Sequence, residues 1–449
     1  MSKKLTAKEQ RAIGIAVLQL ALPLVGQSLL QTLVFLIDRI MLGHYSTAAL
    51  ASMRISGTFF WCVYGVLGAI AVGTIALVGR AIGSGDRSLA SAAARSSLLF
   101  AVVVGIITTV CCLLNLKGII ALFPITDPSV TQAADKYLRL VLSALPLMLL
   151  TVVAAAVFQA AGDTRTPFLV ALAANVVNSL INYILIFGNY GAPELGVRGA
   201  AIGSVAAMAI NAIVLLLILS RDTGMVTLRS YGGEWAALTR IWRVSLPVFG
   251  DRLARSFGYL GFTFMIASLG GVAMATHEAL TGVEEICYLS ADGFGMAAAA
   301  IVAQRLGAKQ LQEATWSAVL AVVLAMGLQG TVSLGFIFIP AQLLSILSPD
   351  PQITATGIPC LYVAAVAQPF MAMSIVLEQA LRGAGATQTT LLISMAGWLI
   401  VRLAATYLFV FVLNLGLMGV WLGSTCDWFV RAVVLLVVFK GSRWRETIV

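Results

Sequence analysis

Long apolar stretches alternate with short polar connections along this chain, and the apolar stretches are longer than the core helices of a soluble domain. A helix crossing a bilayer takes about 20 predominantly apolar residues. Twelve stretches meet that requirement, over 15–43, 48–79, 93–115, 135–160, 167–190, 197–221, 241–269, 274–305, 314–337, 356–381, 388–412 and 417–440. The pattern predicts an all-α integral membrane protein with twelve transmembrane helices. Several stretches exceed the length of a span, which predicts tilt or bending. Pro23 and Pro247 fall inside the first and seventh, where each removes a backbone donor and is expected to bend the helix.

Composition narrows the class. Of the 449 residues, 60% are hydrophobic and 10% charged, against roughly a quarter charged in soluble domains, and the mean hydropathy is +0.98. The net charge of +9 does not point to nucleic acid, because the basic residues lie in short loops. One set of connections, with both termini, holds eighteen Lys and Arg, among them Lys3, Lys4, Arg80, Arg229, Arg240, Arg382 and Arg443. The opposite set holds Lys117, Lys136, Arg139 and Arg198. The positive-inside rule then predicts a multi-pass protein of the cell membrane with both termini cytoplasmic. The longest polar connection, 222–240, is a cytoplasmic linker between an N-terminal lobe, 1–221, and a C-terminal lobe, 241–449. The basic arm before the first helix lacks a cleavage site after its apolar run and is expected to be retained. Six cysteines and two histidines, His44 and His277, show no metal-ligand spacing, so no metal and no cofactor are expected.

The two lobes repeat each other at a nearly fixed offset. Leu22-Pro23 recurs as Leu246-Pro247, and Gly83 recurs as Gly307 with the same shift. Asp127-Pro128 recurs as Asp350-Pro351 and Pro146 as Pro369, both with a shift shorter by a single position. Leu195-Gly196 with Gly199 recurs as Leu415-Gly416 with Gly419, a few positions closer still. Six helices per repeat is an even number, so both halves cross in the same sense. They form two pseudo-symmetric six-helix bundles about an axis along the membrane normal, a plan used by transporters that alternate access to a central site.

Three motifs carry a family resemblance. LIDRIMLGHYSTAA from Leu36 to Ala49, QAAGDTRTP from Gln159 to Pro167, and LGVRGAAIGS from Leu195 to Ser204 resemble the multidrug and toxic compound extrusion (MATE) transporters in order and spacing. LSADGFGMAAAAIVAQRLGA, from Leu289 to Ala308, is most similar to the DinF-type branch. The resemblance implies a secondary antiporter that exports amphipathic, cationic organic compounds in exchange for protons or sodium ions. Expected partners are therefore small organic substrates, protons and the lipid bilayer, with no nucleic acid, on a monomeric chain. NorM-type members carry Glu on the seventh helix and Asp on the tenth; here those positions hold Arg255 and Met371. That departure favours a proton over a sodium gradient.

The residues themselves point to the same site. Asp38 lies about five residues from the outer end of the first helix, roughly 7–8 Å below the surface, where an acid is functional by default. Gln27 and Gln31, eleven and seven residues earlier, share its face. An ion pair with Arg54 is the competing, purely structural role. On the fifth helix Asn175, Asn178 and Asn182 share one face; they either serve a carboxylate or bind neighbouring helices together. The resemblance implies a coupling role for Asn178, Asn182 and Tyr137, the last with an interfacial anchor as the alternative. On the eighth helix Glu278, Glu285 and Asp292 recur every seven residues, either as a cavity-lining stripe or as a charge network with Asp251, Arg252 and Arg255. Glu284 points elsewhere. An intramembrane enzyme lacks its nucleophile–base pair here, leaving a sodium-coupled exporter and a lipid-linked oligosaccharide flippase as the alternatives to a proton-coupled exporter.

Overall fold

The computed structural model describes residues 6–123, 127–221, 226–228 and 234–447. Lys3, Lys4, Arg229 and residues 222–225 and 229–233 of the expected linker lie outside the described residues. The chain is almost wholly helical. Its α-helices are α1 (Ala7–Tyr45), α2 (Thr47–Leu67), α3 (Ala69–Gly83), α4 (Arg87–Leu114), α5 (Leu116–Ala121), α6 (Pro128–Ser143), α7 (Leu145–Ala160), α8 (Arg165–Phe187) and α9 (Val197–Ser220). After the linker come α10 (Glu234–Ala267), α11 (Gly271–Gly307), α12 (Leu311–Phe338), α13 (Pro340–Leu347), α14 (Pro351–Gly383), α15 (Thr387–Met395), α16 (Arg402–Tyr407) and α17 (Gly416–Lys440). π-helical turns at Ala396–Val401 and Leu408–Val412 make α15 and α16 one continuous span.

Among the described residues ten helices are long and apolar enough to cross a bilayer, and α6 with α7 makes an eleventh across a 50° bend. The remaining expected span is α10. It has the length, 34 residues, but carries Asp251, Arg252 and Arg255 in its middle. Pro23 and Pro247 sit inside α1 and α10 without interrupting either helix.

The repeat reappears in the helix boundaries. The α2–α3 span, Thr47–Gly83, and α11, Gly271–Gly307, are related by one shift at both ends, and the same shift relates α4 to α12. The α6–α7 pair, Pro128–Ala160, and α14, Pro351–Gly383, also agree at both ends. The repeated Asp-Pro marks a helix start in both halves. Asp127 Oδ1 accepts from Ser129 N at 2.8 Å and Asp350 Oδ1 from Gln352 N at 2.8 Å, each followed by a proline at the first helical position. The halves differ in continuity. The first half breaks its second span at Gly68 and bends its fourth at Ala144, whereas α11 and α14 run through.

Contacts divide the chain into an N-terminal unit, Gly26–Trp242, and a C-terminal unit, Met1–Val25 with Arg243–Val449. The boundary at Val25 falls inside α1. In the N-terminal unit Leu42, Met53, Val141, Ile186 and Ala201 form a buried cluster. Close approach of α8 and α9 requires Gly199, where a Cβ would lie 2.6–2.9 Å from the backbone of Leu185 and Ile186. Its repeat partner Gly419 packs the same way on the Phe409 backbone. Small residues at such crossings let helices in lipid gain contact without a hydrophobic driving force.

The C-terminal unit holds most of its membrane charges in two buried networks. Asp427 on α17 accepts from Arg402 Nε at 2.9 Å, from Arg431 Nε at 2.7 Å and from Arg431 Nη2 at 2.7 Å. The Arg402 guanidinium lies 3.9 Å from the Trp398 ring centroid and that of Arg431 lies 4.1 Å from the Trp428 centroid. In the second network Asp251 on α10 pairs with Arg382 at 2.6 Å and Arg255 at 3.2 Å. Glu378 on α14 pairs with Arg255 at 3.0 Å and with Arg382. Arg382, placed by sequence in a cytoplasmic loop, is thus a buried interior cation; the expected apolar run ends at the residue before it.

Gly199→Ala is expected to lower stability by about 1–3 kcal/mol through overpacking, while Gly65→Ala, with no atom within 4 Å of the new Cβ, leaves it unchanged. Thermal melting of detergent-purified protein separates the two. Asp427→Asn strands two buried guanidinium groups and is expected to cost about 3–5 kcal/mol, seen as a large drop in melting temperature by the same measurement.

Candidate functional site

Asp38 is buried, at 6% exposure, on α1. Its Oδ1 accepts a 2.7 Å hydrogen bond from Asn182 Nδ2 on α8, and the same amide nitrogen lies 3.3 Å from Asn178 Oδ1 one turn below. The three-and-four spacing on the fifth span therefore delivers two of its three amides to the acid. Asn178 and Asn182 are buried while Asn175, at the other end of the row, is half-buried. Tyr137, on α6, is also buried; its hydroxyl has Ser204 of α9 beside it and faces the charge of Asp38. Four helices of the N-terminal unit thus contribute to one polar cluster.

No basic side chain lies within ion-pair distance of Asp38 among the described residues. Arg54 is exposed on α2, and the Arg39 guanidinium lies 4.4 Å from the centroid of the Phe35 ring. The structural ion pair with Arg54 is not formed. The other buried acids, Asp251, Glu378 and Asp427, each have arginine partners. Asp38 alone among the buried acids described is held by a neutral amide.

Gln27 and Gln31 are half-buried on α1, and Gln27 Oε1 is buried without a hydrogen-bond partner. Asn211 on α9 carries a second such acceptor, Oδ1. Sequence reasoning did not single out Asn211, Gly203 or Ser204. The signal for the last two was the LGVRGAAIGS motif, whose final residues α9 turns toward Asn182 and Tyr137.

The acidic stripe of α11 is not uniform. Glu278 and Glu285 are exposed, and Asp292 is half-buried with its Oδ1 accepting from Gln379 Nε2 at 2.9 Å. Glu284, expected to point away from the stripe, also meets α14: its Oε1 accepts from Gln368 Nε2 at 3.0 Å. Arg255 is occupied by Asp251 and Glu378, and Met371 is buried at 1% exposure in the apolar core of the C-terminal unit. No group of three metal-ligating side chains occurs among the described residues.

The family model MatE matches residues 23–184 and again 247–408, so the two matches have equal length and fall on the two repeats. The "Probable multidrug resistance protein NorM" of Thermotoga maritima is 29% identical over 443 residues, covering 98% of this chain and 95% of its own. Two solved structures share the fold at low identity. A MATE protein in its straight conformation matches at TM-score 0.89 with 21% identity, covering 99% of this chain and all of the other. A multidrug resistance MATE family transporter of the MOP superfamily, in an outward-facing conformation, matches at TM-score 0.88 with 21% identity and the same coverage. With both repeats matched in register over most of the chain, the chain belongs to the MatE family of multi-pass membrane transporters, which are carriers and not enzymes.

Proposed function

We propose that this carrier exports amphipathic organic cations from the cell in exchange for protons, with Asp38 as the coupling carboxylate. The observation that carries the reading is the pairing of Asp38: of the four buried acids described, it is the one without an arginine. A buried carboxylate fixed by a guanidinium is a structural group, because breaking such a pair costs about 3–5 kcal/mol. One held by an amide has its negative form favoured by a single charge-assisted hydrogen bond, worth about 1.5–3 kcal/mol. That is small enough to be given up and regained in each cycle. The name of the Thermotoga maritima relative, a multidrug resistance protein, supports small organic substrates. The occupied state of Arg255 and the apolar Met371 support protons over sodium ions. The carrier works as a monomer in the cell membrane. Its termini lie in the cytoplasm, as the distribution of Lys and Arg implies.

Coupling follows from the two protonation states of Asp38. Charged, it attracts a cationic substrate and accepts from Asn182. Protonated, it loses that attraction and becomes a donor, so its bonds to Asn182, Asn178 and Tyr137 rearrange. Each state favours a different conformation, and a shared group enforces exchange over simultaneous binding. Glu278, Glu285 and Asp292 give the cationic substrate a run of negative charge along α11.

Asp38→Asn keeps the volume and the amide-compatible geometry, so the fold should survive while proton-driven dye efflux in inverted vesicles falls to background. Substrate affinity of this variant should no longer vary with pH, and Asp38→Glu should retain partial efflux. Near wild-type proton-coupled efflux by Asp38→Asn, or wild-type efflux driven by sodium alone, would overturn the reading. Glu285→Gln should lower efflux several-fold with unchanged melting behaviour; normal transport by both Glu285→Gln and Asp292→Asn would make the stripe structural.

A further inference from the structure

We infer that Gly203 is a positioning residue, whose bare face holds the Asn182 carboxamide against Asp38 and leaves it room to invert when Asp38 takes up a proton. The inference rests on the coupling role proposed for Asp38; the repeat places a glycine at the equivalent position, Gly423, but the two glycines face different groups.

A Cβ at Gly203 would overlap Asn182 Oδ1 and lie 3.0 Å from Asn182 Cγ. The nearest backbone atom is Asn178 O at 3.3 Å, a tight contact that a shift of a few tenths of an ångström relieves. The case of Gly199, one turn earlier on the same helix, is the opposite. There the obstruction is the α8 backbone at 2.6–2.9 Å, and glycine is demanded by helix approach. Gly423 stands to Gly203 in the repeat as Gly419 stands to Gly199. At Gly423 a Cβ would meet the backbone N and Cα of Thr406 at 2.8 Å as well as its hydroxyl. In the first half alone the glycine faces chiefly a side chain, and that side chain is the hydrogen-bond donor to Asp38.

The amide is committed on one side and open on the other. Asn182 Nδ2 donates to Asp38 Oδ1 at 2.7 Å and reaches Asn178 Oδ1 at 3.3 Å, whereas Asn182 Oδ1 is buried without a hydrogen-bond partner. A buried acceptor left open costs about 1–3 kcal/mol, so its position against Gly203 needs a reason. A charged Asp38 takes a donor. A protonated Asp38 offers an O–H and takes an acceptor, and rotation of the Asn182 carboxamide by half a turn supplies Oδ1 in place of Nδ2. Rotation sweeps the amide over Gly203, where any side chain would stop it. Tyr137 on α6 also faces Asp38; α8 and α9 present neutral amides and the Ser204 hydroxyl.

A double-mutant cycle tests this on the full-length carrier in proteoliposomes, with dye efflux measured across pH and thermal melting measured in parallel. Gly203→Ala should lower efflux about tenfold and displace its pH midpoint by about one unit, the size of effect expected when a hydrogen bond to a charged group is lost. Asn182→Ala should do the same, and Gly203→Ala combined with Asn182→Ala should match Asn182→Ala alone, because the obstructed side chain is gone. If Gly203→Ala fails to fold, the combined variant should fold, which reports the same contact. A wild-type pH profile for Gly203→Ala, or a further loss when it is added to Asn182→Ala, would overturn the inference. Asp38→Asn run alongside separates the two ideas: retained coupling there removes the role of Asp38, while the cycle in melting temperature still reads the Gly203–Asn182 contact.

Discussion

A charge in the hydrocarbon layer has no water to answer it, and at a helix centre it costs about 3 kcal/mol even by the mildest measures. The chain meets that cost in two ways, and the difference organises the molecule. In the C-terminal unit, arginines and acids neutralise each other: Asp427 between Arg402 and Arg431, and Asp251 and Glu378 between Arg255 and Arg382. These networks tie α10 to α14, and the last two spans to each other. In the N-terminal unit Asp38 receives an amide instead. The first solution fixes the fully buried charges of the C-terminal unit, although its half-buried acids Glu284 and Asp292 also accept from amides. The second leaves Asp38 as the fully buried acid whose charge is not tied to an arginine.

The two solutions sit on one repeated scaffold. Helix ends that recur at a nearly constant shift, Gly83 with Gly307 and Ala160 with Gly383 among them, show that the second half copies the first span for span. Yet the first half breaks at Gly68 and bends at Ala144, while α11 and α14 do not. The tenth span stays continuous although Pro359 and Pro369 lie inside it, so proline alone does not decide where a span is interrupted. In this molecule the interrupted helices and the acid without an arginine belong to the same unit.

Much of this was legible in the residues. A run of about twenty apolar residues has one use, which is why all twelve stretches returned as helical, with ends no more than eight residues from those expected. A lone acid inside such a stretch marked Asp38, and spacing by four brought Asn178 and Asn182 with it. What failed were pairings across long separations. Arg382 read as a loop residue because its partner Asp251 lies 131 positions away. Glu284 does face away from the exposed Glu278 and Glu285, but a seven-residue period does not say which neighbour lies there, here Gln368 of α14. Gly203 was quoted inside a motif but carried no chemistry of its own, since a glycine's role is set by what lies over it.

The partner of Asp38 also limits what the site can be. A guanidinium in the place of Asn182 would supply a permanent positive charge, repelling a cationic substrate and binding the acid as firmly as Arg402 and Arg431 bind Asp427. A hydrophobic residue there would leave the charged acid with no partner at all. An amide can donate to a carboxylate and, turned over, accept from a carboxylic acid. Asn182 can do both only if its two ends are nearly equivalent in space. The side facing Asp38 is fixed by the hydrogen bond, so the freedom must come from the opposite side, and there the chain has placed the smallest residue it has.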